Sequence, residues 1–220
     1  MVLHLYGFTN STCTRRTAIA LYEKQVPFVF HPIDYKAREH KSAEYMRHQP
    51  FGQAPYLDDD GLIIFESRAI GRYVANKYSA QGTPLLPPTS DLVKTAKFET
   101  AMQIENQEFD PYAWIIVRER FTPAFDPTYQ PREDLVKEAL DTLNAKLDVF
   151  EQILTKQKYL AGDSITLADL NTLPVGTLLK SQAGVDALET RPAVAKWWKE
   201  LQERPSWATF KDGVVSVEKY

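Results

Sequence analysis

Every strand-like run in this chain lies before residue 66, and every long segment after residue 91 carries a helical pattern. Between the two, 81–91 holds Gly82, Pro84, Pro87 and Pro88, a composition that reads as a linker between domains. A chain built this way cannot form one continuous sheet with helices spread through it. It predicts a small α/β domain over 1–80, the linker 81–91, and an all-α domain over 92–220.

The first part has a definite order. Residues 2–6 are a short apolar run closed by Gly7, which reads as a buried strand. A helix over 12–24 follows, capped by Ser11 or a neighbour. Residues 28–33 form a second strand, interrupted by Pro32. The charged stretch 34–48 reads as loop plus an irregular helix. Short strands at 55–57 and 62–65 flank Asp58, Asp59, Asp60 and Gly61, a tight-turn signal. A helix over 67–78 closes the domain.

In the second part, 92–119 is a long helical pattern that Pro111 should kink or break. Three prolines make 121–131 a loop. A helix over 132–156 shows one apolar stripe: Leu135, Ala139, Leu143, Leu147 and Phe150. Another helix covers about 166–182 and opens on Thr166 and Asp169, a capping-box-like start with Asp in place of Glu or Gln. Short helices at 192–202 and 207–211 finish the chain, and Trp197, Trp198 and Trp207 read as core or cap residues.

Composition removes several function classes. With 220 residues, 44% hydrophobic and 25% charged, the chain can bury real cores, and long disorder is not expected. A net charge of −3 disfavours sequence-independent nucleic-acid binding, which needs a basic face. The single cysteine, Cys13, rules out an internal disulfide and a Cys-rich zinc site. No stretch approaches the length of a membrane helix, and the N-terminus has no secretory pattern, so the expected location is cytoplasmic.

Four weak signals share one ligand chemistry. Free backbone N–H groups and the positive end of the dipole gather at the first turn after Ser11. A hydroxyl there can donate to a thiolate and favour that charged form. The plain alternative is that Ser11 only caps the helix. Pro55, just before a strand, is a candidate cis proline, which would leave the Ala54 N–H and C=O free to pair with an extended peptide. An ordinary trans proline on an edge strand is the alternative. Glu66 can pair with an ammonium, and Ser67 can cap a helix whose N-terminus binds a carboxylate, or the two are a plain helix cap beside a solvated acid. His40 and Lys41 could hold a second carboxylate, or lie on a solvated surface. An amino-acid head, an extended middle, a thiol and a terminal carboxylate together describe glutathione.

The first eighty or so residues resemble the thioredoxin-like domain of cytosolic glutathione transferases. The likeness is nearest to the phi class, known chiefly from plants and also found in fungi. It rests on His40-Lys41, on Gln-Pro-Phe-Gly-Gln at 49–53, on Ala54-Pro55, on Phe-Glu-Ser-Arg-Ala-Ile at 65–70, and on Gln-Gly-Thr at 81–83. Gln49 stands where the family usually has Asn. Residues 7–16 align with the active-site turn of the class, and its catalytic serine falls on Ser11. In the helical half, 162–169 resembles the capping segment that serves folding in the family. The resemblance implies the glutathione transferase fold, a thioredoxin-like domain followed by an all-helical one. It also implies that Ser11 stabilises the thiolate, and that His40 and Lys41 hold the glycyl carboxylate. Gln53 and the Ala54 backbone, with Pro55 cis, would bind the middle of the peptide, and Glu66 and Ser67 the γ-glutamyl head.

The implied activity is conjugation of glutathione, as co-substrate, to hydrophobic electrophiles, with no metal or other cofactor. Reduction of organic hydroperoxides, or carriage of hydrophobic compounds without turnover, are the alternatives. Phe8 and Thr9, with Tyr112, Ile115, Ile116 and Glu119 on the first long helix, are the candidates to line the electrophile site, with core packing as the bland alternative. Thr12 and Cys13 compete with Ser11, but Cys13 lies two residues into the helix and should point elsewhere. Tyr6 reads as a core aromatic. The family implies a homodimer, in which Arg68 with Tyr73 or Lys77 would face the partner.

Overall fold

The computed structural model describes residues 2–220 and divides the chain into two compact units. The first unit runs to Leu86 and takes back Arg204–Tyr220; the second is Pro87–Glu203. The break at Leu86 falls inside the proline-rich segment. The last seventeen residues, which the sequence reading leaves with the helices, group with the first unit instead.

Four strands build the sheet of the first unit in the order β2-β1-β3-β4. β1 (Leu3–Gly7) pairs parallel to β2 (Phe28–Pro32), so the chain between them must cross over, and α1 (Thr12–Glu23) is that crossover. Leu3 and Leu5 are buried while His4 and Tyr6 between them are half-buried, the alternation of a strand with one covered face. β3 (Tyr56–Asp59) runs antiparallel to β1 and forms a hairpin with β4 (Leu62–Phe65). The turn is shorter than the acidic run suggests. Asp58 and Asp59 belong to the strand, and only Asp60 and Gly61, both at positive φ, make the two-residue loop. The Gly61 N–H donates to Asp58 Oδ1 at 2.8 Å. Pro32 ends an edge strand, where its missing N–H interrupts no ladder. α2 (Ser67–Lys77) follows β4.

The return of the C-terminal segment has a visible cause. Glu23, at the end of α1, is buried and receives Arg204 Nε at 2.7 Å and Nη2 at 2.6 Å. Ser206 Oγ and Thr83 Oγ1 donate to the same carboxylate at 2.5 and 2.6 Å. Burial works against the ionised Glu23, but these donors outweigh it and hold its pKa below the ordinary value. α8 (Pro205–Phe210) thereby packs on α1.

In the second unit, α3 (Leu92–Gln103) and α4 (Asp110–Phe121) are joined by a π-helical segment, Ile104–Phe109. Pro111 sits in the first turn of α4, where a missing N–H costs little, and the α-helical run expected over 92–119 is divided just before it. The wider turn before it absorbs the mismatch. α5 (Glu133–Leu154) buries Val136, Ala139, Leu143, Leu147 and Phe150; Leu135 is only half-buried. α6 (Leu167–Ala183) begins on a true capping box of Thr166 and Asp169. Asp169, fully buried, also accepts the Leu160 N–H at 2.9 Å and the Trp197 indole at 3.0 Å, the latter from α7 (Pro192–Gln202). No helix among the described residues is long and apolar enough to cross a membrane.

Candidate active site

The end of β1, the start of α1 and the segment before β3 meet at Gly7. A Cβ there would stand 2.6 Å from Thr14 Oγ1, 2.9 Å from Thr14 Cγ2 and 3.3 Å from the Pro55 Cβ. Only glycine lets these three pieces approach so closely. From there the chain turns into α1 through Ser11, whose N–H donates to the Phe8 carbonyl at 3.1 Å. Ser11 is the N-cap: its backbone is extended (φ −66°, ψ 134°), and its Oγ accepts the Thr14 N–H at 3.3 Å. A hydroxyl that accepts from the helix keeps its own proton free, and the Ser11 proton has no acceptor among the described residues. The side chain is half-buried, so that proton can meet a ligand.

Cys13 and Tyr6, two rivals for this role, have partners of their own. Cys13 is half-buried, and its sulfur receives Arg16 Nη1 at 3.5 Å. Tyr6 stacks between His31 and Tyr56, at 4.3 and 4.5 Å between ring centres. Burial, with the Asp58 carboxylate, pushes its hydroxyl pKa up, which suits a core aromatic.

The expected glutathione residues fall in three clusters of the first unit. The first lies around the cis Ala54–Pro55 bond. The Tyr45 hydroxyl donates to the Gln53 carbonyl at 2.8 Å and fixes this segment from below. Among the described residues, the Ala54 N–H and C=O have no backbone partner. Gln49, in place of the family's Asn, is buried and accepts the Phe51 N–H through its Oε1 at 2.8 Å.

His40 and Lys41 share one 3-10 turn, Glu39–Lys41. Lys41 Nζ donates to the Phe51 carbonyl at 3.2 Å. Gly52 has φ +57°, and a Cβ on it would meet the His40 carbonyl at 2.7 Å and Lys41 Nζ at 2.9 Å. The structure thus brings His40 and Lys41 against this glycine, the residue before Gln53. The His40 ring stacks on Tyr35 and meets Phe8 edge-on, while its Nδ1 is buried without a partner. Burial first, then the Lys41 and Arg38 charges, lower its pKa, so the imidazole is neutral at neutral pH.

Glu66 and Ser67 open α2, but their roles at the helix end differ from expectation. Glu66 takes the cap position at φ +68°, and its side chain makes no cap hydrogen bond. Ser67 is the first helical residue, and its Oγ accepts from Arg16 Nη1 at 3.1 Å. Arg16, buried on α1, thereby ties the Ser67 corner to the helix that Ser11 caps. It lies 51 residues from Ser67, at the end of the 7–16 segment, and that segment does not by itself point to Ser67 as its partner.

The electrophile candidates divide. Phe8 is half-buried and Thr9 exposed on the turn before α1. Tyr112 and Ile115 are half-buried on α4. Ile116 and Glu119, expected beside them, have 0% exposed surface and can offer nothing to a ligand. Glu119 instead accepts from the Tyr129 hydroxyl at 2.6 Å, the Arg132 N–H at 3.0 Å and Arg118 at 2.9 Å. Those partners hold its carboxyl down to about 2, the Tyr129 hydrogen bond contributing most, so it is a structural ion of the helical unit. Tyr73 and Lys77, expected at a partner surface, both bind Asp59 within the chain.

Comparisons with known proteins follow this geometry. The family model of the glutathione S-transferase N-terminal domain matches residues 1–76, and that of the C-terminal domain matches 109–205. Glutathione S-transferase PM239X14 of Arabidopsis thaliana is 42% identical over 200 residues, covering 90% of each chain. The crystal structure of glutathione transferase F7 from Populus trichocarpa superposes with a TM-score of 0.90 at 34% identity, covering 96% of this chain and 98% of its own. A maize glutathione S-transferase I, solved in complex with an atrazine glutathione conjugate, gives 0.88 at 34% identity, covering 96% and 97%.

Proposed function

The chain belongs to the glutathione S-transferase family and, within it, to the phi class; from that premise we propose that Ser11 is the group that stabilises the glutathione thiolate. The enzyme conjugates glutathione to electrophiles, as its relatives' names and the bound maize conjugate support. The observation that carries the role of Ser11 is its hydrogen bond. Oγ accepts from the Thr14 N–H at the positive end of α1, so the hydroxyl proton is left free to donate to a ligand.

In this reading the thiol proton leaves to solvent and the thiolate accepts the Ser11 hydrogen bond. Its sulfur then attacks the electrophilic carbon, a C–S bond forms, and the displaced group leaves with the bonding pair. No enzyme-bound covalent intermediate is needed. Each unit by which the thiol pKa falls is about 1.4 kcal/mol of preference for the reactive form. Proximity to a held electrophile supplies the rest. Lys41 carries the charge that meets the glycyl carboxylate, and neutral His40 contributes a hydrogen bond. The Ala54 backbone pairs with the cysteinyl segment beside Gln53 and Pro55. Glu66 takes the γ-glutamyl ammonium and Ser67 its carboxylate. Glutathione enters as co-substrate, and no further cofactor takes part. In the first unit, Phe8 and Thr9 on the turn before α1 carry the proposal for the hydrophobic electrophile. We place the enzyme in the cytoplasm as a homodimer, with residues 1–80 holding glutathione.

Ser11→Ala tests this reading. Glutathione should still bind, because its carboxylate and ammonium partners are untouched. The pH at which the bound thiol ionises, read from thiolate ultraviolet absorbance, should rise by about one unit. Turnover of an aryl halide at neutral pH should fall at least roughly tenfold. Unchanged turnover and an unchanged ionisation midpoint would remove Ser11 from the mechanism.

A further inference from the structure

The turn that carries Ser11 is held by the other end of the chain. After α8, residues 212–217 cross back over the first unit. The Val214 N–H donates to the Thr9 carbonyl at 3.0 Å. Gly213, at φ +140°, lies so close to the turn that a Cβ on it would stand 2.8 Å from Thr9 Cγ2 and 3.2 Å from Asn10 Oδ1. That same Asn10 oxygen accepts Arg15 Nη2 at 3.2 Å, so Asn10 is held between α1 and the tail.

Beyond Gly213 the tail is anchored on its own account. Val214 is buried. Ser216 Oγ accepts the Phe30 N–H at 2.9 Å. Phe28 and Val217 exchange both backbone hydrogen bonds, at 2.9 and 3.0 Å, and so pair the open edge of β2. A segment fastened on the sheet this firmly cannot move away from the turn freely, so a change in Gly213 must be taken up by Thr9 and Asn10, the two residues before Ser11.

We propose that Gly213 and Val214 are positioning residues for the reaction: the C-terminal strap sets where the Ser11 hydroxyl stands relative to the bound sulfur. The inference rests on the role given to Ser11 above. A hydrogen bond to sulfur weakens within a few tenths of an ångström, while the glutathione contacts at His40, Lys41, Gln53 and Ser67 come from segments the strap does not touch. Disturbing the strap should therefore change the ionisation of bound glutathione and the turnover, and leave glutathione affinity alone.

Gly213→Ala in the full chain tests it. An added Cβ meets Thr9 well inside ordinary contact distance, and φ +140° strains any L side chain. The bound-thiol midpoint should rise by about half a unit, a loss of thiolate at neutral pH of at most roughly threefold. The kcat for an aryl halide should fall up to roughly tenfold with the glutathione KM within about twofold of its starting value. Adding Thr9→Ser removes the methyl that the new Cβ meets and should recover part of the midpoint shift. A lowered Tm with an unmoved midpoint would overturn the proposal, since a purely structural tail predicts that result. Should Gly213→Ala not yield folded protein, Ser216→Ala decides in its place. It removes one anchor, and a smaller rise of the midpoint supports the strap, whereas none overturns it. Ser11→Ala run in parallel separates the two ideas. If it moves the midpoint and the strap variants do not, only the strap fails; if it does not, the reading of Ser11 fails and takes the strap with it.

Discussion

Glu119 separates a substrate-site residue from a structural one, and its removal has a calculable effect. The carboxylate is fully buried and accepts from the Tyr129 hydroxyl and the Arg132 N–H, on the loop before α5, and from Arg118. The Arg118 side chain is 47% exposed, so water screens that contact and it counts for little. The other two are charge-assisted bonds worth about 1.5 kcal/mol or more each, and truncation leaves both donors without their acceptor. Glu119→Ala should therefore destabilise the protein by about 3 kcal/mol. For a chain of this size that lowers Tm by roughly 6–12 °C. Glu119→Gln keeps the shape, but its amide nitrogen must face a donor, so about half that loss is expected.

The pH dependence gives a second handle. The folded-state carboxyl is depressed to about 2 from an ordinary 4.5, so its stabilisation is fully present above the unfolded value. It is lost as pH falls through the interval between the two. The Tm gap between wild type and Glu119→Gln should thus be constant at neutral pH, shrink below about 4.5 and close near 2. Circular-dichroism melts across that range measure it. Steady-state kinetics well below the lower Tm should show an unchanged electrophile KM. A variant that melts like wild type but has a selectively raised electrophile KM would return Glu119 to the substrate site and refute the reasoning.

Two further predictions follow. Asp169→Ala deletes the acceptor for the Thr166 and Leu160 N–H groups and the Trp197 indole, all buried, and should cost about 4 kcal/mol or more; a collapse in soluble yield and urea midpoint checks it, and a near-wild-type midpoint refutes it. Cys13→Ser should leave aryl-halide conjugation within about twofold, because no step of the proposed chemistry passes through that sulfur; loss of activity would favour thiol transfer through Cys13 instead.

Much of the fold is legible because it is local. Strand alternation, a tight turn within 58–61, the caps at Ser11 and Thr166 and the proline-rich boundary each declare themselves within a few residues. Position on a helix is less legible. Tyr112, Ile115, Ile116 and Glu119 share a helical spacing that says they lie near one face, but not which part of it the neighbouring helices cover. Two of the four are fully buried as a result. Pro111 is legible as an irregularity, but the π-helical segment Ile104–Phe109 before it is not, because no short pattern marks that wider turn.

The same division runs through the active site. The N-cap position of Ser11 is readable because an N-cap hydroxyl and the free amides beside it are consequences of three or four adjacent residues. What holds that hydroxyl in place is not. Arg16 reaches Ser67 across 51 residues, and the Val214 N–H reaches Thr9 from the far end of the chain. Such contacts leave no period and no motif in a single sequence. A glycine such as Gly213 looks like any terminal glycine until the structure shows Thr9 against it. The residues proposed for the reaction are thus set locally, while their placement to within a hydrogen bond is set by the whole unit, so substitutions at Gly213 or Ser216 are expected to alter the ionisation of bound glutathione without altering its binding.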